Sequence, residues 1–335
     1  MHRLACALAA LAATILTAAI LAAPPASRAE QPIGGPAIFS FVAMGDMPYH
    51  VPEDWPRFDR LIAAVNAMQP AFSIHVGDVK DGSSPCTDEH LALILQRFQA
   101  FEQPLVYTPG DNEWTDCHRT RSGQADPRAR LARVREIFFA KPDQSLGRMP
   151  ISLTAQPRVQ PEHAKFVENV RFWKNGVLFV TIHVVGSNNG FETNDPQAPV
   201  EFFERNKANI AWLDDSFRIA GEGGAKAVVV ALQANLHDVK QKDPRMPFGS
   251  GHSQTVRAIE RGAKAFARPI LIIQGDYHEL EIDGFRGTDF KRIPNVWRLQ
   301  VMGESFVHAV RVLVDPDSPG VFGFVPLIVP ENGAF

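Results

Sequence analysis

Short apolar runs closed by Gly-Asp alternate along this chain with stretches whose apolar residues recur every three or four positions. The run 38–44 ends at Gly45-Asp46, and Phe58, Leu61, Ile62 and Val65 then fall on one face of a predicted helix. The run 72–76 ends at Gly77-Asp78 and leads, through a polar loop, to a helical face of Leu91, Ile94, Leu95 and Phe98. A third unit has the run 104–108, then Gly110-Asp111, then a helix through Leu131, Val134 and Phe138. Strand, loop and helix repeated in this way predict parallel pairing with the helices packed outside the sheet.

The middle of the chain changes character. Runs 170–173 and 177–185 flank Asn175-Gly176, the strongest short-range hairpin signal. Helices are predicted over 200–219 and 254–266, and strands over 227–232 and 270–274, the second of which ends in Gly275-Asp276. The tail reads as further strands over 296–301, 306–314 and 321–325. No internal repeat beyond these units and no low-complexity linker divides the chain, so a single α/β domain is expected over 30–335.

The first residues have another pattern. His2 and Arg3 precede an apolar run, 4–23, followed by Pro24, Pro25 and a small-residue site ending at Ala29. This predicts an export signal over 1–29, cleaved after Ala29, and delivery to a periplasm or to the exterior with no membrane contact afterwards. An uncleaved anchor is the other reading, because about 20 apolar residues can span a bilayer. Cys6 lies in the signal, which leaves Cys86 and Cys117 in a compartment that favours oxidation, and they are expected to be bridged. Two unrelated free thiols are the alternative.

Composition narrows the partners. With 45% hydrophobic residues the chain can fill a large core, and a net charge of -3 with no Lys/Arg run leaves no basic footprint for a phosphate backbone. A standing nucleic-acid partner is not expected, and a monomer acting on a small molecule is.

Gly-Asp occurs four times, at Asp46, Asp78, Asp111 and Asp276, each time after an apolar strand. At average glycine usage chance gives about one or two such pairs, placed without regard to strands. The strands of a parallel sheet share one carboxyl edge, where open α/β folds place their sites, so the four carboxylates are expected to converge. Carboxylates a few ångströms apart repel and are hard to keep ionised without a cation. Turn chemistry alone accounts for one or two of the pairs.

These blocks resemble the calcineurin-like metallophosphoesterases, a family that includes purple acid phosphatases, over residues 39–314. In that family Asp-x-His follows the first strand, Gly-Asp the second, Gly-Asn-His-Asp/Glu the third, a His a later strand and Gly-His-x-His another. The corresponding places here are Asp46-Met47-Pro48, Gly77-Asp78, Gly110-Asp111-Asn112-Glu113, Gln233-Ala234-Asn235 and Gly275-Asp276-Tyr277-His278. The resemblance implies a four-layer α/β/β/α sandwich flanked by helices. It implies a metal set of Asp46, Asp78, Asp111, Gln233, Asp276 and His278, with Asp78 bridging two ions. Catalysis would fall to Asp78, Asn112 and Glu113, with Asn112 at the place of the His that binds phosphate and protonates the leaving group.

The departures shape the expected chemistry. Pro48 offers no donor, and of five family histidines only His278 remains. An oxygen-rich set with one imidazole suits Mg²⁺, Mn²⁺ or Ca²⁺ better than Zn²⁺ or Fe. His50, His75, His118 and His237 lie near the blocks as candidates for the missing roles, although a lone His beside a strand is more often structural. In the polar loop 113–119, Arg119, and beyond it Arg121, could hold a phosphate through forked hydrogen bonds, or be solvated. The reading that results is an exported metal-dependent phosphoesterase that hydrolyses mono- or diesters by attack of metal-bound hydroxide. The alternative keeps the fold and a cation and binds a ligand or partner without turnover.

Overall fold

The computed structural model describes residues 37–192, 195–237 and 251–333, so the predicted signal and Cys6 lie outside the described residues. Strands β1 (Phe39–Met44), β2 (Ser73–His75) and β3 (Leu105–Tyr107) pair in parallel, as the alternation with helices predicts. Helices α1 (Asp54–Met68), α2 (Asp88–Phe98) and α3 (Pro127–Phe138) connect or follow them. The helix starts are written locally: Thr87 accepts from the His90 N–H, and Asp126 accepts from the Ala129 N–H ahead of Pro127 in the first turn.

Further strands are β4 (Thr154–Ala155), β5 (Val170–Lys174), β6 (Val177–Thr181), β7 (Ala227–Ala231), β8 (Ile270–Gln274) and β9 (Glu281–Arg286). The chain continues through β10 (Arg292–Gln300), β11 (Ala309–Val314) and β12 (Phe322–Leu327). The Asn175-Gly176 hairpin forms as expected between β5 and β6. β6 stops at Thr181 and not at Val185, because the chain leaves the ladder there and Val184 O instead receives the Gln233 and Ala234 N–H groups. β9 escaped the sequence reading: it is an edge strand whose residues are largely exposed, so it carries little apolar signal.

The strands form two sheets, in the orders β12-β11-β1-β2-β3 and β4-β5-β6-β7-β8-β10-β9. One core lies between them, with Phe41 and Phe72 from the first sheet against Phe172 and Phe179 from the second. A second core joins the first sheet to α1, α2 and α3, and a third joins the second sheet to the helices Ala198–Glu222 and Ser253–Phe266. Helix, sheet, sheet and helix thus stack in four layers, the expected architecture. No helix among the described residues is long and apolar enough to cross a membrane.

Candidate functional site

β1, β2 and β3 of the first sheet and β6, β7 and β8 of the second deliver their carboxyl ends to one region. Asp46 and Asp78 take left-handed φ values of 53°, and Asp276 takes 78°. Such backbone is uncommon outside glycine, though Asp tolerates it through local hydrogen bonds. The glycine before each Asp has a steric reason, because another turn packs on it. A Cβ on Gly110 would stand 2.0 Å from Asp78 Oδ1, and one on Gly275 would stand 2.1 Å from Asp46 Oδ2. A Cβ on Gly45 would meet Val76 Cγ2 at 2.4 Å.

The carboxylates converge. The Asp276 N–H donates to Asp46 Oδ1 at 2.9 Å and so ties the two sheets together. A Cβ on Gly186 would lie 2.6 Å from Asp276 Oδ1 and 2.7 Å from Asp111 Oδ1, so these two oxygens close on one point. Asp78 is surrounded by donors: the Asn112 N–H reaches Oδ1 at 3.0 Å, while Oδ2 accepts from Tyr49 OH at 2.9 Å, Asn112 Nδ2 at 2.9 Å and Gln233 Nε2 at 3.1 Å. His278 Nε2 stands 3.3 Å from Tyr49 OH and 3.8 Å from Asp46 Oδ1, with its Nδ1 3.3 Å from Glu304 Oε2. Ser187 Oγ lies 2.7 Å from Asp111 Oδ2 and 2.9 Å from Asp116 Oδ1.

Burial dominates the electrostatics, and mutual repulsion adds to it. Burial first, then the neighbouring carboxylates, pushes Asp46 and Asp78 well above the ordinary carboxylate range. Burial and then Asp111 push Asp116 up to about 8, against the pull of Arg119. Burial and the surrounding carboxylates also keep the Tyr49 phenol protonated. Each of these shifts favours the protonated acid, so a cation entering the cluster would compete with protons.

The remaining predicted residues have definite places. Glu113 is buried behind the cluster, where Oε1 accepts from Tyr107 OH at 2.8 Å and from the Val79 N–H at 3.3 Å. Arg119 sits at the rim, 2.5 Å from Asp116 Oδ2 and 3.3 Å from Ser187 Oγ. Asn235 turns its side-chain amide to Gln300 while its N–H donates to Asp276 Oδ2 at 3.2 Å. His50 lies exposed beside the loop that its N–H pins to Asp54, and His118 Nδ1 meets Thr115 O at 2.6 Å. His237 Nε2 meets Arg286 O at 2.8 Å. His75 is buried, taking the Gly77 N–H on Nδ1 and meeting Met47 O with Nε2, each at 3.2 Å. Cys86 and Cys117 are bridged, with Cα atoms 5.8 Å apart.

Sequence reasoning missed Tyr49, Ser187 and Lys80. Tyr49 stands one residue past the donorless Pro48, and Ser187 belongs to the small polar run Gly186-Ser187-Asn188-Asn189-Gly190 after β6; both placements were visible signals. Lys80, 1% exposed, donates to Asp81 O at 2.6 Å and Asn112 O at 3.1 Å.

The donor chemistry can be tested against a metal. Asp46 Oδ2 and Asp111 Oδ1 are buried carboxylate oxygens with no hydrogen-bond partner. With Asp276, whose Oδ1 adjoins that of Asp111, they are all-oxygen donors of the kind that a hard cation takes. The bridging part expected of Asp78 would require it to give up donors that now fill both of its oxygens. Gln233 turns its NH₂, not its carbonyl, towards the acids, because its Oε1 accepts the Gly186 N–H at 2.6 Å. Among the described residues no three or more His, Cys, Asp or Glu side chains are grouped ready to hold a metal ion.

No family model matches the sequence, and no curated protein matches it. Solved structures do match. The structure of PhoD superposes with a TM-score of 0.50 at 12% identity, covering 88% of this chain and 70% of the other. GAP50, described as the anchor in the inner membrane complex of Plasmodium, gives 0.46 at 12% identity over 87% and 89% of the two chains. TT1561 of Thermus thermophilus gives 0.46 at 12% identity over 86% and 99%. Identities this low speak for architecture alone. With two sheets face to face, helices outside both and the Gly-Asp turns at one edge, the chain adopts the metallophosphoesterase-like fold that its sequence blocks imply.

Proposed function

We propose that the Gly-Asp edge binds one hard divalent cation, of the Mg²⁺, Mn²⁺ or Ca²⁺ class, and that the protein is an exported phosphoric-ester hydrolase. The observation that carries this reading is the pair of partnerless carboxylate oxygens, Asp46 Oδ2 and Asp111 Oδ1, buried in the cluster. An ionised oxygen in such a place costs several kcal/mol unless a proton or a cation meets it. A phosphate ester would add negative charge to this cluster and be repelled by it, so a bound cation would serve to neutralise the phosphoryl oxygens.

Asp46, Asp111 and Asp276 would hold the ion. Asn112 and Tyr49, whose N–H and O–H groups already face the acids, would orient the ester. Tyr49 accepts from Asn112 Nδ2 at 3.1 Å, beside the place where Asn112 replaces the family's acidic His, and its O–H would hold the leaving oxygen by a hydrogen bond. Arg119 at the rim would steady the phosphate by charge-assisted bonds. Export is supported by the N-terminal pattern and by the Cys86–Cys117 bridge, which an oxidising compartment favours.

The test uses purified mature protein in two steps. Thermal unfolding with Mg²⁺, Mn²⁺ or Ca²⁺ near 100 times the dissociation constant should rise by about 5 °C, and Asp46→Asn should remove the rise. A panel of mono- and diesters assayed in each metal should then show hydrolysis that Asp111→Asn abolishes. Stoichiometric zinc or iron would count against the cation class, and a shift retained in Asp46→Asn would count against the site. Hydrolysis surviving in Asp111→Asn would exclude this mechanism.

A second reading is favoured by the saturation of Asp78 with donors: the cation and a ligand bind, without turnover. A cation-dependent shift beside a flat ester panel in every metal would select it.

A further inference from the structure

Four residues in succession after β6 take φ values in the left-handed range. Ser187 (φ 47°, ψ 47°) and Asn188 (φ 54°, ψ 35°) are followed by Asn189 at φ 57° and Gly190 at φ 67°. Residues other than glycine visit this region singly, and a run of them is a steric cost that asparagine bears better than serine. The asparagines have their own anchors: Asn188 Oδ1 accepts the Gly251 N–H at 3.0 Å, and Asn189 Oδ1 accepts from Arg205 Nη1 at 2.6 Å. At 187 a glycine would meet the demand on the backbone without that cost, so the reason for a serine lies in its hydroxyl. Strained backbone of this kind gathers where a side chain must be held in a functional pose.

We propose that this turn is a strained mount for Ser187, and that Ser187 is a positioning residue that aims Asp111 at the cation. The inference rests on the reading of the Gly-Asp edge as a cation site. Ser187 Oγ lies 2.7 Å from Asp111 Oδ2 and 2.9 Å from Asp116 Oδ1, and it accepts from Arg119 Nη2 at 3.3 Å. It thus engages one oxygen of Asp111, while the other, Oδ1, stays buried and partnerless beside Asp276 Oδ1. The residue before it has the matching property. A Cβ on Gly186 would stand 2.7 Å from Asp111 Oδ1 and 2.6 Å from Asp276 Oδ1, so glycine keeps clear the point on which these oxygens close. Gly186 is itself fixed, its N–H donating to Gln233 Oε1 at 2.6 Å. Two neighbouring residues of one turn therefore settle which oxygen of Asp111 is available and leave room in front of it. Removing a hydrogen-bonding partner of a metal-binding group weakens metal affinity by about ten- to a hundredfold.

The test compares Ser187→Gly, Ser187→Ala and Ser187→Thr with the native protein, by calorimetric titration with Mn²⁺ and by thermal unfolding without added metal. The first two both remove the hydroxyl, and of them only glycine is at ease in left-handed backbone. Threonine keeps the hydroxyl, but its branched Cβ suits that backbone least. Among the variants the melting temperature should therefore be highest in Ser187→Gly, about 2 °C lower in Ser187→Ala and lowest in Ser187→Thr. Mn²⁺ affinity should run the other way, about tenfold below native in Ser187→Gly and Ser187→Ala and near native in Ser187→Thr. A residue that merely shapes the turn would give affinities that follow stability. Native affinity in Ser187→Gly, or affinity in Ser187→Thr as weak as in Ser187→Ala, would overturn the inference and leave the cation site in place. Should Ser187→Thr fail to fold, the other two decide: equal melting temperatures, or native Mn²⁺ affinity in either, is the overturning result. A native protein that binds none of Mn²⁺, Mg²⁺ and Ca²⁺ would remove the reading of the edge and this inference with it.

Discussion

A carboxylate removed from water needs a proton, a donor or a cation, and the Gly-Asp aspartates divide these remedies among themselves. Asp78 takes donors from Tyr49, Asn112 and Gln233, whereas Asp46 and Asp111 each keep one oxygen with no partner. The positions of these acids were legible because each must follow an apolar strand and a glycine. Their donors were not, because a Tyr or a Ser brought in by the fold has no fixed spacing from an Asp. His75 is a case where the bland reading of a lone His holds. Its ring is closed in by Phe58, Phe98 and Tyr107 and straps the first two turns together through Met47 O and the Gly77 N–H. Burial lowers its pKa to about 3, so the neutral ring belongs to the folded state. The unfolded chain takes up the proton first, so this stabilisation is complete above about pH 6.5 and lost as pH falls towards 3. The raised carboxylates Asp46, Asp78 and Asp116 act in the opposite sense, their cost growing as pH rises above about 4, so a difference measurement is needed. The stability of the native protein minus that of His75→Gln, from urea unfolding, should fall by about 1.4 kcal/mol per pH unit below pH 6.5. A flat difference would mean that the imidazole is not held neutral.

At the level of elements, the site is a set of loops made rigid from beneath. The loop after β2 and the loop after β3 are joined by the Cys86–Cys117 bridge, by Lys80 reaching Asn112 O and by the Val79 N–H on Glu113. Removing the bridge frees an unfolded loop with a sequence separation of 31, worth roughly 4 kcal/mol in the chain-entropy model. It also loosens the turns that bear Asp78 and Asp111. Cys86→Ser should therefore lower the melting temperature by about 6 °C and weaken divalent-cation binding as well. Affinity unchanged in the reduced or substituted protein, measured by calorimetry, would separate the brace from the site. The buried parallel strands and the Asn175-Gly176 hairpin could be read from the chain because both carry strong local signals. The edge strand β9 and the turn of β6 into Gly186 could not, since neighbours and not local pattern decide them.

For the whole molecule, the four layers followed from the family resemblance of the Gly-Asp blocks, but the meeting of the two sheets at one edge did not follow from the alternation of strands and helices. The first sheet supplies Asp46, Asp78 and Asp111, and the second supplies Gln233 and Asp276, across a seam filled by Phe41, Phe72, Phe172 and Phe179. The stacked and edge-on contacts of these rings fix the two sheets against each other, with Phe41 and Phe72 at 5.2 Å and Phe72 and Phe179 at 4.9 Å between centroids. Any cation held by both sheets is therefore held across the seam.

The bond from the Asp276 N–H to Asp46 Oδ1 closes a span of 230 residues. Contacts so distant in sequence carry the largest loop-closure penalty and are made late on the route to the native state. An ion bound there would be absent from the rate-limiting barrier, so adding Mn²⁺ or Mg²⁺ should slow unfolding in denaturant and leave the refolding rate where it was. Kinetics showing both rates shifted equally would place this junction inside the folding nucleus. If the ion acts only on the way out, it lengthens the lifetime of the native state, which is the quantity that governs how long a protein persists once folded.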